Sequence, residues 1–228
     1  MKRATIQIIG SFLLGTLLYS GWAAAGVGES EKVETATDVL RQITAIPEQE
    51  IPPALLRNAQ GVAVIPGVIK AGFIVGGSYG KGILTVRDDK GQWSPPLFVT
   101  LAAGSLGWQI GAESTDVVLV FKTRRSVEGI VKGTFTLGAD AAVAAGPVGR
   151  RGEAATDAEL KAEILSYSRS RGLFAGISLQ GSKISIDHDA DAAFYGKALS
   201  PSQIVEGEGG HPDAGQKFLH EVTKATAD

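Results

Sequence analysis

The chain of 228 residues is 44% hydrophobic and 20% charged, a globular composition that suits one large domain and excludes a disordered protein. It has no cysteine, which excludes a disulfide framework, a Cys-ligated zinc site and a lipoprotein anchor on a processed N-terminal cysteine. Its formal net charge of −2 makes it a poor general binder of nucleic acid, because phosphate contacts need a clustered positive field.

Residues 1–25 read as a secretory signal. Lys2 and Arg3 supply the positive start, Ile6 to Leu18 the apolar stretch, and Ala23-Ala24-Ala25 an A-x-A site that places cleavage after Ala25. The alternative is an uncleaved anchor, but the uncharged stretch falls short of the ~20 residues a span needs unless Tyr19 to Ala25 are added. Loss of Lys2 and Arg3 takes Lys+Arg from 22 to 20 against 24 Asp+Glu, a net charge of −4. The expected organisation is a signal over residues 1–25, one domain over 26–210 and a helical tail over 211–228, with a periplasmic or secreted location.

Next in the chain, Ser30 is placed to cap a helix with apolar positions Val33, Ala36, Leu40 and Ile43, ended by Pro47. Its polar face is acidic, with Glu29, Glu31, Glu34 and Asp38 against Lys32 and Arg41, so it does not spell a basic membrane-surface helix. Pro53 to Asn58 suits a second short helix. From Gly61 the pattern turns to β-branched and aromatic runs cut by glycine: Val62 to Ile65, Gly72 to Tyr79, Gly82 to Arg87, Leu97 to Leu101, Gly107 to Gly111 and Asp116 to Phe121. Asp88-Asp89-Lys90-Gly91 carries the turn chemistry of an antiparallel hairpin.

Ser126 to Lys132 suits a turn or two of helix, and the small-residue stretch Gly133 to Gly149 has no assignable period. Glu159 to Ser168 reads as helix passing into strand. Leu173 to Leu179 and Lys183 to Asp187 read as strands around Gln180-Gly181-Ser182, Asp189 to Lys197 as a short helix, and Asp213 to Thr226 as an exposed terminal one. The order predicts an α+β single domain, with a strongly curved or barrel-like antiparallel sheet, an N-terminal helix and short covering helices.

Three motifs suggest chemistry and fail on context. Gly76-Gly77-Ser78-Tyr79-Gly80 matches the G-x-S-x-G nucleophile elbow, yet Ser78 leads into another strand-like run where a helix is required. Gly80-Lys81 lacks the first glycine and the Ser/Thr of a phosphate loop. Asp187-His188-Asp189-Ala190-Asp191 starts like a calcium loop, but Ala192 and Ala198 stand where Gly and Glu belong, so Asp189 or Asp191 reads as a helix cap. No catalytic residue, cofactor or metal is expected.

Basic residues cluster locally, with Lys122, Arg124 and Arg125 after one strand, Arg150 and Arg151 in a turn, and Arg169 and Arg171 before Gly172-Leu173-Phe174. Such sets suit phospholipid headgroups, with an adjacent Leu or Phe entering the acyl boundary.

Longer blocks carry a family resemblance. They are Ala59-Gln60-Gly61-Val62-Ala63-Val64-Ile65-Pro66, Lys70-Ala71-Gly72-Phe73 with Gly76-Gly77, Gly80-Lys81-Gly82 and Arg87, and Gly91-Gln92-Trp93-Ser94-Pro95-Pro96. Later come Gly107-Trp108-Gln109-Ile110-Gly111-Ala112, Asp140 with Gly146-Pro147-Val148-Gly149-Arg150, Tyr167-Ser168-Arg169-Ser170-Arg171-Gly172-Leu173-Phe174-Ala175-Gly176, and Phe194-Tyr195-Gly196. In this order they resemble the SYLF domain over roughly residues 30–206.

The resemblance implies phospholipid binding, with phosphoinositides favoured in eukaryotic members, actin binding in yeast relatives, and no catalytic residues. The acidic first helix departs from the basic amphipathic helix tied to lipid binding in eukaryotes, and an exported protein would not meet actin. The expectation is an exported, non-enzymatic protein at a phospholipid membrane surface, with Arg150, Arg151, Arg169, Arg171, Leu173 and Phe174 as contact candidates. The alternatives are an envelope module that holds a protein partner through a sheet edge or the terminal helix, and a hydrolase using Ser78.

Overall fold

Among the described residues, apolar runs broken by glycine become one nine-stranded sheet. The computed structural model describes residues 28–45, 51–72, 76–105, 113–149, 161–170 and 173–227. In chain order the elements are α1 (28–43), α2 (Pro53–Arg57), β1 (Gly61–Gly72), β2 (Gly76–Val86), β3 (Leu97–Ser105) and β4 (Glu113–Phe121). There follow α3 (Arg124–Val131), β5 (Phe135–Thr136), β6 (Val143–Ala145), β7 (Ile164–Ser170), β8 (Leu173–Gly176) and β9 (Lys183–Ile186). The chain closes with α4 (His188–Tyr195), α5 (Pro201–Val205) and α6 (Asp213–Ala225).

The strand order is β5-β9-β3-β2-β1-β4-β7-β6, and β8 also pairs with β7. The ladders are antiparallel, as expected, except β6 with β7, which is parallel and makes the sheet mixed. Val143 to Ala145 take the edge of β7 at Ile164 to Ser166, and β8 takes the same edge from Tyr167 onward.

Chain length forces the sheet to curl. From Thr136 at one edge to Val143 at the other the chain makes seven steps, a reach of at most about 25 Å. The eight strands of the path laid flat would separate those edges by about 34 Å. The sheet is accordingly a strongly curled half-barrel, in a single α+β domain. The same economy explains why β8 and β9 flank Gln180-Gly181-Ser182 without forming a hairpin: β8 joins β7, and β9 joins β3 and β5.

Both faces are covered, which is why the central strands are nearly continuous in apolar residues. On one face Val62, Val64, Ile83, Phe98, Val118, Val120, Leu165 and Tyr167 pack against Val33, Ala36, Leu40 and Ile43 of α1, Phe194 of α4, and Phe218 and Val222 of α6. On the other, Ala63, Ile65, Leu84, Leu97, Val117, Leu119 and Phe121 meet Val127 and Ile130 of α3 and Ile204 of α5.

Several local expectations change. Helix α1 already runs from residue 28, so Ser30 lies inside it and is not its cap. The terminal helix is not exposed: Ala214, Phe218 and Val222 are buried, and Lys217 and Glu221 pair with Glu34 and Arg41 of α1 at 2.9 and 3.4 Å. Its apolar face is therefore spent inside the fold and offers nothing to a partner. The Gly72 to Tyr79 run is not one strand, since Gly72 closes β1 and pairs with Gly76, which opens β2. The Asp88 turn joins β2 to β3 as expected, with Asp88 Oδ1 accepting the Lys90 and Gln92 N–H groups at 2.8 and 2.7 Å. The signal segment and the Gly107 to Gly111 run lie outside the described residues.

Candidate functional site

Pro66 in the central strand β1 cannot donate to a ladder, and such a proline is tolerated at a bulge. From Val64 to Ile69 strand β1 advances five residues while β2 advances four, from Ile83 to Tyr79. The extra residue sits at Pro66-Gly67, where Gly67 adopts φ +59° and donates its N–H to Asp116 Oδ1 at 3.0 Å. Glycine enters this left-handed region without the cost a Cβ brings.

The bulge shifts every side chain beyond it by one position relative to an unbroken strand. Val68 is buried and Ile69 is 54% exposed, directly opposite Tyr79 of β2, which is 52% exposed. Leu173, beside Ser170 at the β7–β8 turn, is 74% exposed. Among the described residues these are the large hydrophobic side chains left in solvent, and all lie at the end of the sheet where β1 meets β2 and β7 meets β8.

The six candidate contact residues divide. Arg150, Arg151 and Arg171 lie outside the described residues. Arg169 is engaged within the fold: its Nη2 lies 3.1 Å from Asp116 Oδ2 and its Nη1 donates to Gln42 of α1. Phe174 stacks on Tyr167 with centroids 5.4 Å apart and planes 6° from parallel, half-buried against the α1-side core. Leu173 projects into solvent. Sequence reasoning missed Ile69 and Tyr79, because which strand residues stay uncovered depends on a register set by the bulge.

Ser78, the centre of the G-x-S-x-G match, lies within β2 between Lys70 of β1 and Ala103 of β3. The strand, tight turn and helix of a nucleophile elbow are absent at Ser78.

The Asp187 segment serves α4. Asp187, not Asp189 or Asp191, is the N-cap, accepting the Ala190 N–H at 3.2 Å and pairing with Lys81 at 2.7 Å. Burial works to raise the Asp187 carboxyl, but the hydrogen bonds from Lys81 and the Ala190 N–H and the Lys81 charge outweigh it and hold the group below its ordinary value. Asp191 is buried, and its Oδ1 accepts the Phe98 N–H at 2.8 Å. Burial pushes this carboxyl up to about 7; the Phe98 N–H opposes the shift, and the charges of Asp187 and Glu29 add to it. Tyr195 on the same helix donates to the Pro96 carbonyl at 2.6 Å.

The fold and this sheet end define a single-domain α+β half-barrel with an apolar rim. Residues 102–225 match the family model described as Ysc84, Las17-binding protein actin regulator. The chain belongs to this Ysc84/SYLF family. It is 39% identical over 163 residues to LAS seventeen-binding protein 3 of Saccharomyces cerevisiae, covering 70% of this chain and 35% of that protein. It is 38% identical over 175 residues to Protein YSC84 of the same yeast, covering 75% of this chain and 37% of the relative. It is also 38% identical over 194 residues to SH3 domain-containing YSC84-like protein 1 of Xenopus laevis, covering 82% of this chain and 57% of the relative. The chain thus spans between about a third and somewhat over half of these relatives, whose names describe binding or SH3-containing proteins and no enzyme.

Proposed function

We propose that this is an exported, peripheral phospholipid-binding protein that performs no chemistry and docks on a membrane by the sheet end bearing Ile69, Tyr79 and Leu173. One observation carries the reading: the large apolar side chains exposed among the described residues gather at that single end. Tyrosine suits the boundary between headgroup and acyl chain, with an apolar ring and a polar tip. No helix among the described residues is long and apolar enough to cross a membrane. The signal-like residues 1–25 support export, and the absence of an elbow at Ser78 supports a non-catalytic role.

Vesicle flotation tests it. Full burial of a large apolar side chain stabilises by about 1.5–3 kcal/mol. Three half-buried ones contribute roughly 3 kcal/mol, about a hundredfold in partitioning. Ile69→Ser with Tyr79→Ser and Leu173→Ser should abolish flotation with anionic vesicles while leaving the fold intact. Flotation unchanged in that variant overturns the reading. For export, the N-terminus of protein recovered from the cell envelope should be Gly26.

The relatives named for Las17 binding favour a second reading, in which the same apolar rim holds a protein partner. Capture of a partner that persists after delipidation and is lost with Ile69→Ser and Tyr79→Ser would favour it over the membrane.

A further inference from the structure

Helix α4 is tied by hydrogen bonds to the stretch of chain that leads into β3. Tyr195 donates its hydroxyl to the Pro96 carbonyl at 2.6 Å, the Asp187 N–H donates to the Phe98 carbonyl at 2.9 Å, and Asp191 Oδ1 accepts the Phe98 N–H at 2.8 Å. The ladder between β3 and β9 runs from Ala102 to Val99 and stops there. At Phe98 the start of α4 takes the place of a strand, and a side-chain carboxyl stands where a backbone carbonyl would accept. The Phe98 and Phe194 rings, with centroids 5.2 Å apart, close the same junction.

Asp191 is the member of this set that titrates between pH 5 and 8. It is 1% exposed, and its Oδ2 has no hydrogen-bond partner among the described residues. The charges that act on it are those of Asp187, one turn earlier, and Glu29 of α1, both of its own sign. The cations that reach this cluster are already engaged, Lys81 of β2 with Asp187 and Lys32 of α1 with Glu29, each at 2.7 Å. Strand β3 carries no charged residue, and α6 approaches α4 at Gly215, beside the Phe194 ring. A neutral carboxyl stays here at the cost of one unmade hydrogen bond, whereas a buried carboxylate without a counter-ion is far costlier. Burial accordingly pushes the group up to about 7. Lifting α4 lets water reach Oδ2 and removes that cost.

We propose that α4 is a pH-operated clasp on the start of β3, closed while Asp191 holds its proton and opening locally when the proton leaves, which bares the Phe98 and Phe194 rings while the rest of the sheet stays folded. The closed clasp retains a proton that the open one, in water, releases in the ordinary carboxylate range, so rising pH favours opening. Asp187, held below its ordinary value, acts with opposite sign at pH values below that range. The junction lies four residues along β3 from Ala102, the partner of Tyr79, and the clasp does not depend on the membrane reading.

Hydrogen–deuterium exchange of the full chain, followed from pH 5 to 8 and corrected for the intrinsic rate at each pH, tests it. Protection over residues 97–99 and 188–195 should fall by about tenfold or more across that range. A local opening exposes little surface, so this protection should stay flat in low urea, while that of β1 and β4, which exchange through global unfolding, declines. Asp191→Asn should abolish the pH dependence of the α4 protection. Tyr195→Phe removes one contact of the clasp and leaves the proton, and should lower the α4 protection by the same factor at pH 5 and pH 8. Constant α4 protection from pH 5 to 8 in the parent, or an equal fall in Asp191→Asn, removes Asp191 as the trigger. Protection and urea response of α4 that match those of β1 and β4 overturn the local opening.

Discussion

Asp116 and Arg169 face each other on adjacent strands, and the carboxylate that meets the guanidinium at 3.1 Å through Oδ2 also accepts the Gly67 N–H at 3.0 Å through Oδ1. One side chain therefore fixes the bulge of β1 and anchors β7. Asp116→Ala removes both contacts and should cost about 2–3 kcal/mol in urea denaturation. Arg169→Gln removes one and should cost about 1 kcal/mol. Because the two share a contact, the double variant should cost less than the sum; strict additivity would show that the ion pair contributes nothing.

Two glycines in the same region should lose stability to a methyl group by different amounts and for different reasons. At Gly67 the backbone is left-handed but the space is open, with the Ser114 hydroxyl oxygen 3.6 Å from an added Cβ. Gly67→Ala should cost about 1 kcal/mol, from backbone strain alone, and Gly67→Asn less. At Gly82 a Cβ would meet the Val64 carbonyl and the Ile65 backbone, neither of which can give way within the ladder. Gly82→Ala should prevent soluble folding or cost more than about 3 kcal/mol, and denaturation midpoints that match for the two substitutions would contradict this.

Leu173 and Phe174 are chain neighbours with different tasks. Phe174 stacks on Tyr167, whereas Leu173 is 74% exposed. Phe174→Ser should cost about 2 kcal/mol. Leu173→Ser should stay within about 0.5 kcal/mol of the parent while weakening vesicle flotation. A loss of stability at Leu173 as large as that at Phe174 would place both in the core.

How far the sequence revealed these relationships depended on whether the signal was local. The apolar stripe of α1, the Asp88 turn and the strand runs Val62 to Ile65, Gly82 to Arg87, Leu97 to Leu101 and Asp116 to Phe121 follow from periodicity and turn chemistry, and these are present. The run Val62 to Ile65 stops short of Pro66, since a proline in a ladder is legible as a stop and not as a bulge; β1 continues to Gly72, with Asp116, distant in sequence, supporting the extra residue. The short strands β5 and β6 carry no period of their own and exist because a curled sheet has edges nearby to pair with. Arg169 reads as a free cation in a basic run, since its carboxylate partner comes from another strand. The exposure of Ile69 and Tyr79 is a consequence of register, and register is a tertiary fact.

Asp191 makes the stability of the fold fall as pH rises. Its Oδ1 is fixed by the Phe98 N–H, while its Oδ2 is buried with no partner among the described residues, so ionisation places a poorly compensated charge beside β3. Burial, with the Phe98 N–H opposing and Asp187 and Glu29 adding, raises the carboxyl from 3.8 to about 7. Below about pH 4 folded and unfolded chains both hold the proton. Between that and about 7 the folded chain keeps a proton that the unfolded chain has lost, so stability drains away until the folded pKa is passed. Each unit is worth about 1.4 kcal/mol, which makes the loss on the order of a few kcal/mol. The depressed Asp187 carboxyl acts with opposite sign, but below the ordinary carboxylate range, and the described histidines are exposed and common to both proteins compared. Asp191→Asn keeps an acceptor for Phe98 and titrates no proton. From about pH 5 to about pH 8 the denaturation midpoint of the parent should fall further than that of Asp191→Asn, leaving the variant the more stable at the higher pH; parallel profiles would mean that Asp191 does not carry the proton assigned to it.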